Sequence, residues 1–282
     1  MWVWSAPCFR TRPSVVLGAY LPGEDDMKMD GNTVLITGGA SGIGLELTKA
    51  FVKLGNTVIV TGRDQAKLDR AKQELPAIHV IQSDVSRVAD IEALYDRVTK
   101  EFPNLNILIN NAGVARTLNL HKEGSLEDLT EEIDINLKGP VRLAWKFLPH
   151  LKTLPSAAIV NVSSGLAFVP LPIMPIYCAT KAALHSFSLS LRVQLKNTNV
   201  KVFEIAPPTT QTDLIAGMDA EDMKGIDVMQ VGEMVRVCLK GLENDKFEIR
   251  PGQANQLRFM NRLAPGFILN QLSKPVDRML KE

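Results

Sequence analysis

Thr33-Val34-Leu35-Ile36-Thr37-Gly38-Gly39-Ala40-Ser41-Gly42-Ile43-Gly44 is the stretch that decides the fold: an apolar run breaks into a glycine-rich turn, and the turn opens a helical segment through Leu45, Leu47, Phe51 and Leu54 that Gly55 stops. Glycines at 38, 42 and 44 let the backbone turn tightly, approach a pyrophosphate and pack the following helix on the sheet. The helix start behind them, from Ala40 through Ser41, Gly42, Ile43 and Gly44, offers free N–H groups and a partial positive charge to an anion.

Outward from this turn the same alternation continues. Residues 57–61, 78–81, 106–110, 157–162 and 200–205 read as further strands, with a short seventh at 247–249; charged helix-period segments run over 64–75 and 87–102. Nearly continuous apolar strands between amphipathic helices predict a doubly wound α/β parallel sheet covered on both faces, with its ligand crevice at the strand C-termini. At the end of the second strand Thr61-Gly62-Arg63 carries no carboxylate before Asp64. An acid there would accept from a ribose 2′-hydroxyl, whereas Arg63 can fork onto a 2′-phosphate, so the reading favours NADP(H), with NAD(H) still open. Asp64 is placed as a helix cap.

Composition excludes several classes. The 282 residues carry 32 basic and 31 acidic side chains, so no basic excess exists for nucleic acid. No run of about 18 apolar residues occurs, which argues against a transmembrane segment. Cys8, Cys178 and Cys238 are too few and too scattered for a disulfide scaffold and suit a reducing, cytoplasmic setting. His79, His121, His150 and His185 lack metal-ligand spacing, and no metal is expected.

Tyr177 and Lys181 stand one helical turn apart in Tyr177-Cys178-Ala179-Thr180-Lys181, so both fall on one face. A phenol titrates near pH 10 in water; an ammonium beside it favours the phenolate and brings it toward neutrality. The pair follows a strand that ends in Asn161-Val162-Ser163-Ser164.

Thr37-Gly38 through Gly42-Ile43-Gly44, Asn110-Asn111-Ala112-Gly113, Ile135-Asn136-Leu137, Ser164 and Tyr177/Lys181, in that order, resemble the short-chain dehydrogenase/reductase family in its single-domain Rossmann-fold form, over about 32–250. Within it, Ser163 to Phe168, Ile176 to Lys181 and Val202 to Pro208 are most similar to the DltE-like oxidoreductases. The resemblance implies that Tyr177 is the general acid in reduction and the base in oxidation, and that Ser164, ahead of its neighbour Ser163, bonds the substrate oxygen. It implies that Lys181 holds the nicotinamide ribose and lowers the tyrosine pKa, and that Asn136 fixes a water linking Lys181 to solvent. Asp84 and Val85 would meet the adenine. Asn110, Ala112 and Gly113 would border the adenosine ribose and the nicotinamide side, Pro207 would lie along the cofactor, and Thr212 would bond the carboxamide. Pro207-Pro208 departs from the family's usual Pro-Gly, and a second proline removes an N–H from that loop.

The function that follows is hydride transfer between NADP(H) and a small, hydrophobic ketone or secondary alcohol. Its rival is a catalytically silent dinucleotide-binding sensor or scaffold, which would show damage at Tyr177, Lys181 or Ser164. A methyltransferase or epimerase on the same fold would use a differently spaced glycine loop or a larger substrate domain. Leu166, Phe168 to Leu171, Ile173 and Met174, with Leu214, Ile215 and Met218 in an expected lid, suggest an apolar pocket; ordinary packing explains them equally. Residues 1–30 read as a flexible extension, with an organelle transit peptide or residues upstream of a start at Met27 or Met29 as alternatives. Residues 31–250 form the catalytic domain, and 251–282 an amphipathic helical segment that folds onto the domain or a sister subunit, ahead of a membrane-surface role. The family resemblance also implies a homodimer or homotetramer, built through the helices near 126–151 and 177–196.

Overall fold

The computed structural model describes residues 27–212 and 227–281. The expected extension before Met27, Cys8 within it, and the lid residues Leu214, Ile215 and Met218 lie outside the described residues.

Seven strands form one parallel sheet: β1 (Thr33–Thr37), β2 (Thr57–Gly62), β3 (His79–Gln82), β4 (Leu105–Asn110), β5 (Ala157–Val162), β6 (Val200–Ile205) and β7 (Glu248–Ile249), in the order β3-β2-β1-β4-β5-β6-β7. The chain winds one way from β1 to β3 and the other way from β4 to β7, so the order reverses between β1 and β4. That switch point is where a doubly wound sheet opens its crevice.

Strand periodicity divides the core. Val34 and Ile36 face one side of the sheet, with Phe51, Leu68, Phe203 and Met234; Leu35 faces the other, with Leu94, Leu143, Phe147 and Leu191. The first side is covered by α1 (Gly42–Lys53), α2 (Gln65–Glu74) and α7 (Val231–Glu243), the second by α3 (Val88–Glu101), α5 (Gly139–Leu151) and α6 (Pro175–Gln194). Full burial of each large apolar side chain contributes about 1.5–3 kcal/mol. Helix ends follow local chemistry: Gly55 takes φ +80° after α1, and the Asp64 side chain caps α2 by accepting from Lys67 N at 3.1 Å.

Two departures from regular helix matter for the site. Between α4 (Leu126–Ile133) and α5 the chain makes a π turn, Asp134–Lys138, with Asn136 at its centre. The C-terminal segment is two helices instead of the one expected, α8 (Ala254–Leu263) and α9 (Pro265–Met279). Pro265 forbids helical continuation through Ala264, whose ψ of 63° marks the break. Both helices fold onto their own chain: Asn261 Nδ2 donates to Phe168 O at 2.8 Å, Arg258 stacks on the Phe168 ring, and Asn119 Nδ2 donates to Met279 O at 3.2 Å. Among the described residues no helix is long and apolar enough to cross a membrane.

Candidate active site

The glycine turn is laced to the end of β4. Asn111 Nδ2 donates to Thr37 O (2.9 Å) and Gly38 O (3.2 Å), and the backbone N–H groups of Asn111 and Ala112 donate to Thr37 Oγ1. Gly38 sits at φ +64°, and its N–H reaches Thr61 O at 2.7 Å. No room is left for side chains: a Cβ on Gly38 would lie 2.9 Å from Ala112 Cα, and one on Gly44 would lie 2.2 Å from Gly38 O. Ser41, the N-cap of α1, makes no side-chain cap bond, and the first turn carries no acid. The helix start therefore presents its N–H groups and a hydroxyl to an anion.

Other features of the crevice suit a dinucleotide. Thr61 Oγ1, Ser83 Oγ and Asn110 Oδ1 are buried without a hydrogen-bond partner among the described residues, at the C-terminal ends of β2, β3 and β4. Orphaned polar atoms are costly unless a ligand or water meets them. Asp84 Oδ1 accepts from Ser86 N (2.9 Å) and Ser86 Oγ (2.7 Å), which fixes the turn after β3, and Val85 packs against Gly139. Pro207 O accepts from Gly165 N at 2.7 Å, so the double-proline loop is tied to the turn after β5. Thr212 stands against Gly42, where a Cβ would meet its Cγ2 at 3.4 Å, so the loop after β6 reaches the glycine turn. Arg63 is held by a carboxylate: its Nη1 donates to Glu131 Oε1 of α4 at 2.7 Å, and Arg116 bonds the other oxygen of the same group.

Deeper in the crevice Tyr177, Lys181, Ser164 and Asn136 come together. Proline at the start of α6 sets its first turn, which carries Tyr177 (8% exposed); Lys181 (4%) follows one turn on. Ser164 heads the short 3-10 turn Gly165–Ala167, accepts from Leu166 N at 3.1 Å, and hydrogen-bonds the Tyr177 hydroxyl. The neighbouring Ser163 points away, donating to buried Glu204 Oε1 at 2.5 Å, so of the two serines it is Ser164 that faces the tyrosine. Asn136 bonds both backbone groups of Val114, accepting its N–H (2.9 Å) and donating to its carbonyl (2.8 Å). Its Oδ1 and Lys181 Nζ both border Gly113, where a Cβ would meet them at 3.3 and 3.5 Å.

One electrostatic expectation is corrected. Lys181 does not bring the Tyr177 phenol toward neutrality in this arrangement: burial pushes Tyr177 up to about 12, and the Ser164 bond only partly offsets that. Lys181 Nζ donates to Val162 O at 2.9 Å and sits 5.6 Å from the tyrosine ring centroid, and burial lowers its own pKa to about 8, against the opposing pull of Glu204 and Glu132. In a dry site each group is driven toward its uncharged form.

The family model described as short chain dehydrogenase matches residues 32–223, which include the glycine turn, Asn136, Ser164, Tyr177 and Lys181. The chain belongs to the short-chain dehydrogenase family. It is 49% identical over 240 residues to the uncharacterized oxidoreductase DltE of Bacillus subtilis, covering 84% of this chain and 94% of that one. It is 37% identical over 175 residues to the NADP-dependent 3-hydroxy acid dehydrogenase YdfG of Escherichia coli, covering 62% and 71%. A short-chain dehydrogenase from Sphingobium yanoikuyae, solved with NADPH, superposes with a TM-score of 0.72 at 30% identity, over 84% of this chain and 95% of that one.

This short-chain dehydrogenase also uses residues that the sequence reading passed over. Asn111 staples the glycine turn to β4. Buried Glu204 joins Ser163 to His185 Nδ1, the latter at 2.7 Å, on the far side of Ser163 from Tyr177 and Lys181. Glu132, one turn before Asn136, is buried against α6. A glutamate within an otherwise apolar strand, as in Val202-Phe203-Glu204-Ile205, was the available signal for the second of these. Ile173, Met174, Tyr177 and Cys178 form an apolar cluster against which Ala115 and, from α9, Val276 and Met279 pack. Among the described residues no cluster of three His, Cys, Asp or Glu could hold a metal.

Proposed function

We propose that the protein catalyses reversible hydride transfer between NADP(H) and the carbonyl or secondary alcohol of a small, hydrophobic substrate. The observation that carries this reading is the convergence of Tyr177, Ser164, Lys181 and Asn136 on one buried spot beside the glycine turn. The oxidoreductase names of its relatives, and the NADP in the names of two of them, support it.

The dinucleotide would lie with its pyrophosphate on Gly38 and Ala40 to Gly44, its adenine by Asp84 and Val85, and its remaining length along Asn110, Ala112, Gly113, Pro207 and Thr212. When bound, it supplies the hydride. Tyr177, held protonated by burial, gives its proton to the carbonyl oxygen as the alcohol forms. Ser164 donates to the same oxygen and stabilises the charge that develops there. Lys181, still largely an ammonium below its pKa of about 8, holds the nicotinamide ribose, and Asn136 orients a water behind it. The cluster around Ile173 and Met174 excludes solvent and favours an apolar substrate.

Arg63 sets the cofactor preference by leaving Glu131 for a 2′-phosphate. A panel of hydrophobic ketones and alcohols assayed with NADPH and NADH side by side tests both parts: turnover is expected with NADPH ahead, and Arg63→Ala is expected to erase a preference of about tenfold. A preference for NADH in the parent would remove Arg63 from this role, and no turnover on any member of the panel would count against the reading as a whole.

The protein is proposed to work in the cytoplasm as a homodimer or homotetramer. Cys178 and Cys238 are free and buried, which suits a reducing setting. Both expected interface helices carry exposed apolar side chains, Trp145 on α5 and Leu189 and Val193 on α6. Native mass measurement at micromolar concentration should return a multiple of 31.0 kDa, and a monomer would refute the assembly.

A further inference from the structure

The chemistry just proposed gives Glu132 nothing to do, yet Glu132 occupies a place in the site that is costly to fill with a carboxyl. It lies on the last turn of α4, 3% exposed, where α4 packs on α6. One carboxyl oxygen takes the backbone N–H of Arg116; Oε1 has no hydrogen-bond partner among the described residues. A buried carboxyl with an unmatched oxygen is disfavoured by a few kcal/mol unless it serves a purpose. The charged and titratable groups within electrostatic reach of it are Arg116 on the loop after β4, Glu131 on its own helix, and Tyr177, Cys178 and Lys181 on α6, the helix that α4 packs on. It is thus a titratable group with an open position, set against the pair from which reduction withdraws a proton. Asn136 stands four residues further along, on the same side of the helical segment.

We propose that Glu132 is a proton-relay residue: after Tyr177 has given its proton to the product oxygen, Lys181 returns one to the phenolate and Glu132 returns one to Lys181. The inference rests on the role proposed for Tyr177. Burial raises the Glu132 pKa above the ordinary carboxyl value, so the group carries a proton closer to neutral pH than an exposed glutamate does. Once it gives the proton up, the carboxylate left behind stabilises the recharged ammonium of Lys181 until its own proton is restored. Arg116, which acts on Glu132, is itself exposed, and in the proposed relay a proton returns from solvent to Glu132 on that side. The balance is one proton taken from water for each carbonyl reduced; the electron pair arrives with the hydride, and no other bond changes.

Glu132→Gln keeps the shape and removes the titration. It is expected to bind NADPH and ketone as the parent does, with KM unchanged and kcat lowered about tenfold or more. The solvent deuterium isotope effect on kcat should rise, and formate in the buffer should restore part of the rate. A kcat within about twofold of the parent, or a loss that neither changes the isotope effect nor responds to formate, overturns the relay. Should the variant fail to fold, the parent enzyme decides: in stopped flow with a pH indicator, the first turnover of NADPH should precede proton uptake from solution, and simultaneous uptake overturns the proposal. A fully active Tyr177→Phe would instead bring down the proposed function, whereas an inactive Tyr177→Phe beside a normal Glu132→Gln removes only the relay.

Discussion

Tyr177→Phe should bind NADPH with the affinity of the parent and lose about two to four orders of magnitude in kcat, equivalent to roughly 3–5 kcal/mol of transition-state stabilisation. The substitution removes one hydroxyl and leaves the ring between Ile173, Met174 and Cys178, with Lys181 Nζ still 5.6 Å from its centroid. Most of the proposed dinucleotide contacts lie in other elements, the glycine turn above all, and the Lys181 side chain is untouched, so cofactor binding is expected to survive the change. Losing the bond to Ser164 costs stability only on the order of 1 kcal/mol. Fluorescence titration of NADPH together with steady-state rates separates the two effects. A variant that reduces any ketone at near the parental rate would take the proton-donor role away from Tyr177 and leave the proposed chemistry without its acid.

Gly44→Ala should be the most damaging single methyl in the described chain. The added carbon would lie 2.2 Å from Gly38 O, 2.5 Å from Asn111 Nδ2 and 2.9 Å from Gly38 C, and two of those three are backbone atoms that cannot rotate aside. The turn must open, which breaks the Asn111 staple and misdirects the start of α1. We expect destabilisation of about 4 kcal/mol or more, and NADPH binding below detection. Gly55→Ala is the control: it also asks for positive φ, at +80°, but meets nothing within 4 Å, so it should cost only about 1–2 kcal/mol and leave the cofactor affinity alone. Thermal denaturation with and without NADPH reads both. Parental stability and affinity in Gly44→Ala would mean that the turn is not the tight cradle described.

These two positions were legible in the sequence because their chemistry is local. The glycine turn announces itself through spacing, and Tyr177 with Lys181 through one helical period. What stayed hidden depends on distant parts of the chain. Arg63 was visible as a cation at the end of β2, but its partner Glu131 stands 68 residues away and cannot be inferred from either neighbourhood. The distance between Lys181 and Tyr177 is set by the Val162 carbonyl, which claims the ammonium, so a helical period alone misjudges the state of the phenol. The π turn around Asn136 leaves no mark in hydrophobic spacing, because it alters one turn and not a period. Glu131 and Glu132 are adjacent and chemically identical; only the packing of α4 on α6 leaves one half-buried and fully buries the other. The break between α8 and α9 was foreshadowed by Pro265, whereas the surface they cover was not.

The placement of α9 also has a consequence for how the protein folds. Val276 and Met279 complete the apolar wall beside Tyr177, and Asn119 waits 160 residues for the carbonyl of Met279. Closing a loop of that length carries an entropy cost that local contacts do not bear, so this wall is held by contacts that are expensive to form. That wall is thus a long-range feature of the fold, and it should form late and open early relative to the local helix and turn contacts around the glycine turn.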